Sequence, residues 1–420
     1  MTSAPRHLPL SDFPLLLGGD LRGWEHHGIE DDARRAGPVH VATQPNGVRV
    51  HVVTVGPERA RALLADPRLS KDAAALRAAM ATHMVEAGRS PEVSAIIGES
   101  MLNTDPPAHS RLRKLVAGAL TRGRVLGLEE RITTVVRALL DEMPDDAPVD
   151  LVRGFALPVP LTVICDLLGV PEQDRTDLAG WSSAMMTEIP EQQIPASGTM
   201  AGYLAELVEA KRAEPDGSLL SALVHDEVDG DRLTPDELLT TSVLLVAAGH
   251  ETTTAAIGNA AAAMLATGTW ATVARQPDLV RAVVQETLRF DPPIRNVPHY
   301  LATAPVELDG TTVLPEGAII MVNVGATNRD TAAFGPDADR FDPTREQGAG
   351  ALGHTAFGHG IHRCVGSHLA ALEIEVALRE LVTRWPDARL VGRLDDLPRS
   401  PAVVINGFTR IDVLLTPPSA

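Results

Sequence analysis

Cysteine is scarce in this chain: only Cys165 and Cys364 occur among its 420 residues, far apart in the sequence. Two distant cysteines exclude a disulfide framework and are typical of a reducing compartment, so a cytoplasmic protein is expected. Long apolar runs are missing too. The most apolar stretch, residues 242–265, is broken by His250 and Glu251, which predicts no membrane span. The N-terminus has no basic start followed by an apolar core, which predicts no signal peptide.

Positive charge is also in short supply. The formal net charge is −18 at pH 7, so nucleic acid phosphates would repel the chain, and a general nucleic-acid binder is excluded. Lysine is rare even among the 37 basic residues and occurs only at positions 71, 114 and 211. The excess of arginine is interpreted as coding bias rather than chemistry.

The spacing of apolar residues predicts a mainly α fold with small β-sheets (α+β). We expect residues 1–35 to be irregular and residues 36–420 to form a single domain, with one large helical part and a smaller β-rich region. Two β-branched runs around Pro-Asn-Gly predict a hairpin in VHVATQPNGVRVHVVTV, whereas helical spacing dominates residues 57–290. A last helix is expected over residues 365–384, followed by a hairpin in PAVVINGFTRIDVLL.

The segment FGHGIHRCVG (Phe357–Gly366) places Cys364 in a glycine-rich loop just before that last helix. A sulfur there faces free backbone N–H groups and the positive end of the helix dipole, and basic side chains lie nearby in the sequence. Gly360 and Gly366 let the backbone fold closely around the sulfur. These features favour a thiolate, the form of cysteine that binds metals, whereas Cys165 is expected to be an ordinary buried side chain.

Two other interpretations of this region compete with a lone metal-binding thiolate. A tract of metal-ligating side chains could bind zinc, although its spacing matches no usual zinc pattern; it consists of His354, His359, His362, Cys364 and His368. The segment GAGALG (Gly348–Gly353) matches a dinucleotide-binding pattern by letter. It does not follow a strand, however, and that interpretation is rejected.

The loop FGHGIHRCVG resembles the haem-ligand loop of the cytochrome P450 superfamily, which has Phe, two residues, Gly, three residues, Cys, one residue and Gly. Phe357, Gly360, Cys364 and Gly366 fill these four places. The resemblance implies the cytochrome P450 fold over roughly residues 36–416. It also implies that Cys364 is the axial ligand of the iron in haem b (iron protoporphyrin IX), where a thiolate donates electron density that favours cleavage of the O–O bond.

A second motif, AAGHETT, interrupts the apolar helix predicted around residue 250. A threonine in mid-helix can donate to the carbonyl four residues earlier, here from Thr252 to Ala248, and Gly249 leaves room for a small ligand. A simple helix kink is the alternative. The resemblance implies that Ala248 and Gly249 border the haem, that Thr252 hydrogen-bonds dioxygen, and that Glu251 relays protons through water.

A third motif, DPPAHSRLRK, places His109 and Arg113 one helical turn apart on the same face. Such a pair alone is usually solvated. The resemblance implies that both residues bind the haem propionates, together with His362 of the cysteine loop. Many members of the family have a further propionate-binding arginine where this chain has His299 or Tyr300, depending on the direction of counting. We expect either that His299 replaces this arginine or that the contact is lost.

The fourth motif, ETLR, sets Glu286 and Arg289 three residues apart, where they can pair on one helix face. On its own such a pair is expected at the surface, where it contributes little to stability. The resemblance implies a structural ion-pair cluster behind the haem, completed by Arg340 from FGPDADRFDP. This cluster would serve folding and cofactor retention rather than chemistry.

Together the motifs imply a haem-thiolate monooxygenase of the bacterial type that inserts one oxygen atom of O2, by hydroxylation or epoxidation, into a lipophilic natural product. A polyketide or macrolide of antibiotic biosynthesis or other secondary metabolism is the preferred substrate. Variable segments are expected to select it: 77–99, 188–197, 294–297 and 404–408. Three alternatives remain. They are a haem-thiolate enzyme with another outcome such as oxidative coupling, a haem-thiolate sensor or binder, and a zinc-binding module.

The resemblance also implies external partners. Electrons are expected from NAD(P)H through a separate ferredoxin and its ferredoxin reductase. The ferredoxin would dock near Cys364 at a basic patch of Arg111, Lys114 and Arg363. The protein itself is expected to be a cytoplasmic monomer.

Overall fold

Helices dominate the described part of the chain, as the spacing of apolar residues predicts. The computed structural model describes residues 20–91, 100–144, 147–185, 190–345 and 353–416. Within these ranges no helix has the length and apolar character that a bilayer crossing requires. The helices are α1 (Glu25–Ala36), α2 (Pro57–Leu64), α3 (Ala73–Glu86), α4 (Ala108–Ala119), α5 (Arg122–Leu126), α6 (Glu129–Asp141), α7 (Pro158–Leu168), α8 (Arg175–Met185), α9 (Pro190–Ala213), α10 (Leu219–His225), α11 (Pro235–Thr267), α12 (Thr269–Arg275), α13 (Val280–Phe290), α14 (Val324–Asn328), α15 (Thr331–Phe334) and α16 (Ser367–Arg384).

The strands are short and form small sheets, which confirms the predicted fold class of a mainly α protein with little β structure. They are β1 (Val39–Thr43), β2 (Arg49–Val53), β3 (Leu69–Ser70), β4 (Pro148–Asp150), β5 (Asn296–Ala302), β6 (Val306–Asp309), β7 (Thr312–Leu314), β8 (Ile319–Asn323), β9 (Arg389–Leu390) and β10 (Asp412–Leu414). One sheet has the order β1-β2-β8-β5-β3, in which β2 and β8 are parallel and the other pairs antiparallel. A second has the order β4-β10-β9, and a third pairs β6 with β7.

Helix α11 runs through the middle of the protein and carries the AAGHETT motif. It begins with a capping box, in which the Thr234 hydroxyl accepts from the Glu237 N–H and the Glu237 carboxylate accepts from the Thr234 N–H. It ends at Gly268, whose φ of +75° suits glycine. Because α11 packs against α7, α9, α13 and α16, most of its 33 residues are shielded from water.

The two ends of the chain differ from the sequence predictions. Residues 1–19 lie outside the described residues, but within the segment expected to be irregular the helix α1 begins at Glu25. This helix is fixed by a distant partner, because His26 Nε2 lies 3.1 Å from Asp291 Oδ1, 265 residues along the chain. At the other end, PAVVINGFTRIDVLL does not close as one hairpin. Its strand β10 pairs with β4 and β9 instead.

Candidate active site

The cysteine loop depends on close backbone contacts. The Cys364 N–H donates to the Phe357 carbonyl at 2.8 Å, which closes the loop. Gly360 has a φ of +72°, and a Cβ atom there would lie 2.8 Å from the carbonyl oxygen of Leu64. Glycine is therefore required at position 360 because the backbone passes close to Leu64. The sequence analysis had instead expected Gly360 to make room for the sulfur. Gly366, the N-cap of α16, is the glycine that faces the sulfur. A Cβ atom at Gly366 would lie 4.0 Å from Cys364 Sγ.

The Cys364 side chain opens into an internal cavity. Burial raises the pKa of its thiol, and this effect outweighs the Gly366 N–H and the charges of Arg113 and Arg363, which lower the pKa. The Gly366 N–H and the two arginines thus act in the direction that the sequence analysis expected, and burial acts against them. A metal cation would supply the missing charge, because a coordinating thiol is deprotonated outright.

The cavity beside Cys364 measures about 310 Å³. The sulfur and Phe357 border it on one side, and α11 borders it through Ala248, Gly249 and Thr252. Branched aliphatic side chains supply much of the remaining wall, among them Ile164, Leu167, Leu244, Leu245, Ile294 and Val297. The structure thus brings together the cysteine loop and the AAGHETT motif, 112 residues apart at Cys364 and Thr252, around one apolar space.

On the α11 wall, Thr252 behaves as its spacing predicts, since its hydroxyl donates to the Ala248 carbonyl at 3.0 Å. Gly249 borders the cavity together with Ala248 and Thr252. A Cβ atom there would also lie 3.3 Å from the side chain of Ile164, so the missing side chain lets α7 approach α11 as well.

Glu251 is next to Thr252 but does not border the cavity. Its Oε1 accepts a hydrogen bond from the Ser183 hydroxyl of α8 at 2.6 Å and lies 3.5 Å from His250 Nε2. Burial raises the pKa of the Glu251 carboxyl, but His250 and Ser183 more than offset it, so the pKa lies below its ordinary value. Glu251 is therefore an ionised carboxylate that faces α8.

A polar corner borders the cavity where α4 meets the cysteine loop. The rings of His109 and His362 lie 4.4 Å apart, and Arg113 donates to the Arg363 carbonyl at 2.5 Å. Both ring nitrogens of His109 and Nε2 of His362 are buried without a hydrogen-bond partner among the described residues. Unpartnered buried nitrogens beside an arginine fit an acidic ligand group, because a carboxylate there would accept hydrogen bonds from the Arg113 guanidinium and from the N–H of a histidine ring in the matching tautomer.

The corner also contains a residue that the sequence analysis missed, Lys71, which borders the cavity together with Tyr300. His299, expected as a possible propionate ligand, does not border the cavity. Burial, and then the charge of Lys71, lowers the pKa of His299 to about 4. The rarity of lysine in this arginine-rich chain was the one signal that could have drawn attention to Lys71.

Glu286 and Arg289 of the ETLR motif form a buried pair, with two N–H···O contacts of 2.7 and 2.8 Å. The predicted third member is wrong: Arg340 is exposed and contributes only its backbone carbonyl, which accepts from Arg289 at 3.0 Å. Arg345 stands in its place, with Nε 3.6 Å from Glu286 Oε1. Arg289 also donates to the carbonyl of Asn328 at 3.1 Å.

Asn328 connects this cluster to the cysteine loop, because its Oδ1 accepts from both the N–H and the hydroxyl of Thr355, at 2.8 and 2.9 Å. Thr355 lies two residues before Phe357. The ion-pair cluster thus supports the loop that carries Cys364.

The zinc alternative finds no support among the described residues. The histidines near Cys364 do not converge there, and the one group with metal-ligand spacing is His26, His27 and Asp291. The carboxylate of that group is occupied by Arg399, which donates to Asp291 Oδ2 at 2.5 Å.

The segments expected to select substrate are only partly observable. Residues 92–99 and 188–189 lie outside the described residues. Of the others, Ile294 and Val297 border the cavity, whereas residues 77–91, 190–197 and 404–408 do not. Most of GAGALG, the rejected dinucleotide-binding pattern, also lies outside the described residues.

Comparison with known proteins agrees with this site. The family model Cytochrome P450 matches residues 269–386. The chain is 41% identical over 381 residues to Cytochrome P450 107B1 of Saccharopolyspora erythraea, which covers 90% of this chain and 92% of that protein. It is 36% identical over 369 residues to the 6-deoxyerythronolide B hydroxylase of the same organism, and this match covers 86% of this chain and 90% of that protein. Among solved structures, tirandamycin C-bound P450 monooxygenase TamI matches with a TM-score of 0.83 and 33% identity, with 93% of this chain and 98% of that chain covered.

Proposed function

We propose that this chain, which belongs to the cytochrome P450 family of haem-dependent monooxygenases, inserts one oxygen atom of O2 into a lipophilic natural product. The reaction would be a hydroxylation or an epoxidation. The observation that carries the proposal is that Cys364 and Thr252 border one apolar cavity. A polyketide or macrolide of secondary metabolism is the preferred substrate class. Two relatives support this choice by name, a 6-deoxyerythronolide B hydroxylase and a monooxygenase bound to tirandamycin C.

The residues of the cavity fit haem b. Cys364 would bind the iron, and Arg113 and His362, which border the cavity, would hold the propionates together with His109, whose ring lies beside that of His362. When bound, haem supplies the cleavage of the O–O bond and the transfer of one oxygen atom. The aliphatic wall binds substrate and excludes stray water, which favours oxygen transfer over side reactions.

Protons reach the site through α11. Glu251 accepts protons on the side of α8, where Ser183 holds its carboxylate. The adjacent Thr252 borders the cavity, so its hydroxyl would be the group that hydrogen-bonds dioxygen there. In the structure the single hydroxyl proton of Thr252 is donated to the Ala248 carbonyl, so the hydroxyl must turn that proton towards the cavity before it can donate it.

Electrons would come from NAD(P)H through a ferredoxin and its reductase, with this protein acting as a cytoplasmic monomer. Two of the three cations expected at the docking patch are occupied: Arg111 pairs with Asp231 at 2.6 Å and with Glu237 at 2.7 Å, and Lys114 pairs with Asp229. Arg363 is exposed beside Cys364 and forms no ion pair within the described residues, which makes it the cation best suited to attract an acidic ferredoxin.

Charge reversal at Arg363 should slow reduction of the protein. We expect Arg363→Glu to lower the second-order rate of reduction by a ferredoxin about tenfold at low salt, because exposed charges steer association. Stopped-flow absorbance measures this rate. The difference from wild type should shrink as salt is added, since screening weakens exposed charges. Substrate affinity is the control and should not change; a loss that is independent of salt would contradict the docking role.

Incubation with ¹⁸O2 tests the reaction itself. The purified protein, a ferredoxin, its reductase and NADPH are incubated with a panel of macrolactones and open-chain polyketides. Product heavier than substrate by one ¹⁸O atom, measured by mass spectrometry, supports monooxygenation of this substrate class. Dehydrogenated or coupled products without label would favour oxidative coupling, and the absence of any turnover across the panel would contradict the proposed substrate class.

A further inference from the structure

Lys71 is a buried cation at the edge of the cavity. Its side chain is 2% exposed, although lysine is among the residues least often buried. Its Nζ donates to the carbonyls of Pro298 and His299, at 2.9 and 3.3 Å, and lies 4.3 Å from the centre of the Tyr300 ring. An ammonium group has three N–H donors, and no side-chain carboxylate among the described residues binds this one. The amine is therefore buried without a directly bonded carboxylate.

The fold positions Lys71 by long-range contacts. Lys71 directly follows β3, which pairs with β5 through Ser70 and Leu301, and β5 carries Tyr300. The Lys71 N–H donates to Asp105 Oδ1 at 2.9 Å, and Asp105 Oδ2 accepts from the Ser70 hydroxyl at 2.5 Å. Asp105 thus ties Lys71 to the segment that leads into α4.

The surroundings of Lys71 favour an anionic ligand. Arg113 and His362 border the same cavity as Lys71, so basic side chains gather at this edge. Burial lowers the pKa of Lys71 to about 7, and the charge of Asp105 offsets only part of this effect. A carboxylate on the cavity side would keep the ammonium charged and would compensate its burial.

We propose that Lys71 binds a haem propionate and supplies the positive charge that the resemblance leads one to expect from an arginine at the position of His299 or Tyr300. Tyr300 brings its ring, rather than a cation, to this edge of the cavity, and Lys71 reaches the same edge from β3. One propionate is then held by Lys71, and the other by Arg113 with His109 and His362. The proposal rests on haem binding in this cavity, which the experiment checks separately.

The rate of haem loss from Lys71→Met tests the proposal, and Lys71→Arg and Lys211→Met are the control variants. Methionine keeps the length of the side chain and removes its charge. The ferric proteins are mixed with excess apomyoglobin, and transfer of haem is followed by absorbance. We expect Lys71→Met to lose protohaem about tenfold faster than wild type or more, as for loss of a hydrogen bond between charged groups. Lys71→Arg and Lys211→Met, the latter at a largely buried lysine that pairs with Asp216 and does not border the cavity, should behave like wild type.

Reconstitution with protohaem dimethyl ester separates propionate binding from a structural role. The ester lacks the carboxylate charges, so wild type and Lys71→Met should lose it at equal rates. The proposal would be overturned if wild type and Lys71→Met lost protohaem at equal rates. It would also be overturned if Lys71→Met lost the ester faster than wild type by the same factor as it loses protohaem. If Lys71→Met does not fold, Lys71→Gln replaces it in the same comparison. Failure of the wild-type protein to bind protohaem at all would instead contradict the proposed function.

Discussion

Replacement of Arg289 by leucine should destabilise the protein by about 3–5 kcal/mol, because it removes both charge-assisted hydrogen bonds to the buried Glu286 carboxylate and leaves only the more distant Arg345 beside it. Both side chains are at most 6% exposed, and Arg289 also donates to backbone carbonyls of the segment that follows α15. Urea unfolding of the ferric protein, followed by circular dichroism, measures the loss. The variant should also lose haem faster, since Asn328 and Thr355 connect this cluster to the cysteine loop.

The chain offers a matched control for this prediction. Arg281 pairs with Glu375 at 3.3 Å, but its side chain is 79% exposed. Exposed ion pairs are worth at most about 1 kcal/mol, so Arg281→Leu should change stability and haem retention little. Equal losses for Arg289→Leu and Arg281→Leu would contradict a special role of the buried pair. Replacement of Arg340 by leucine should be as mild as the control, because the Arg340 side chain lies outside the cluster.

Removal of the proton-relay groups should lower product formation far more than oxygen consumption. We expect Glu251→Gln and Thr252→Ala to form product about a hundredfold more slowly, in the range that positioned acid–base groups contribute. NADPH oxidation should continue, with hydrogen peroxide in place of product. Because the pKa of Glu251 lies below its ordinary value, the carboxylate is ionised at neutral pH. The loss in Glu251→Gln should therefore be similar at about pH 6 and pH 8.

Thr267→Ala is the control for Thr252→Ala. The Thr267 hydroxyl donates to the Ala263 carbonyl at 2.7 Å, the same type of contact on the same helix, away from the cavity. Ser183→Ala should have a smaller effect than Glu251→Gln, since it removes one partner of the carboxylate and leaves the carboxylate in place. If Thr267→Ala uncouples turnover as strongly as Thr252→Ala, the hydrogen bond within the helix, and not proton delivery, is responsible.

The sequence could predict the parts of this site that depend on near neighbours. The bond from Thr252 to Ala248 follows from the turn of one helix, and the pairing of Glu286 with Arg289 follows from their spacing. The position of Cys364 before a helix follows from the residues around it. In each case the partner lies within a few residues, so local geometry decides the contact.

Contacts between distant segments could not be predicted in the same way. Lys71 reaches the cavity only because β3 pairs with β5, more than 200 residues later. Arg345 rather than Arg340 lies beside Glu286 because the path of the intervening loop decides which side chain turns inward. The direction of Glu251, towards Ser183 and away from the cavity, depends on how α8 packs on α11.

The absorption spectrum of the dithionite-reduced protein under carbon monoxide tests the central claim most directly. Wild type should show the strongly red-shifted Soret band of thiolate-ligated haem, and Cys364→His should lose that band while Cys165→Ser retains it. Cys165 is buried and burial raises the pKa of its thiol to about 12, so it is no competing ligand. A wild-type band at the position typical of histidine ligation, or no haem absorption after reconstitution, would contradict the assignment of Cys364 as the iron ligand.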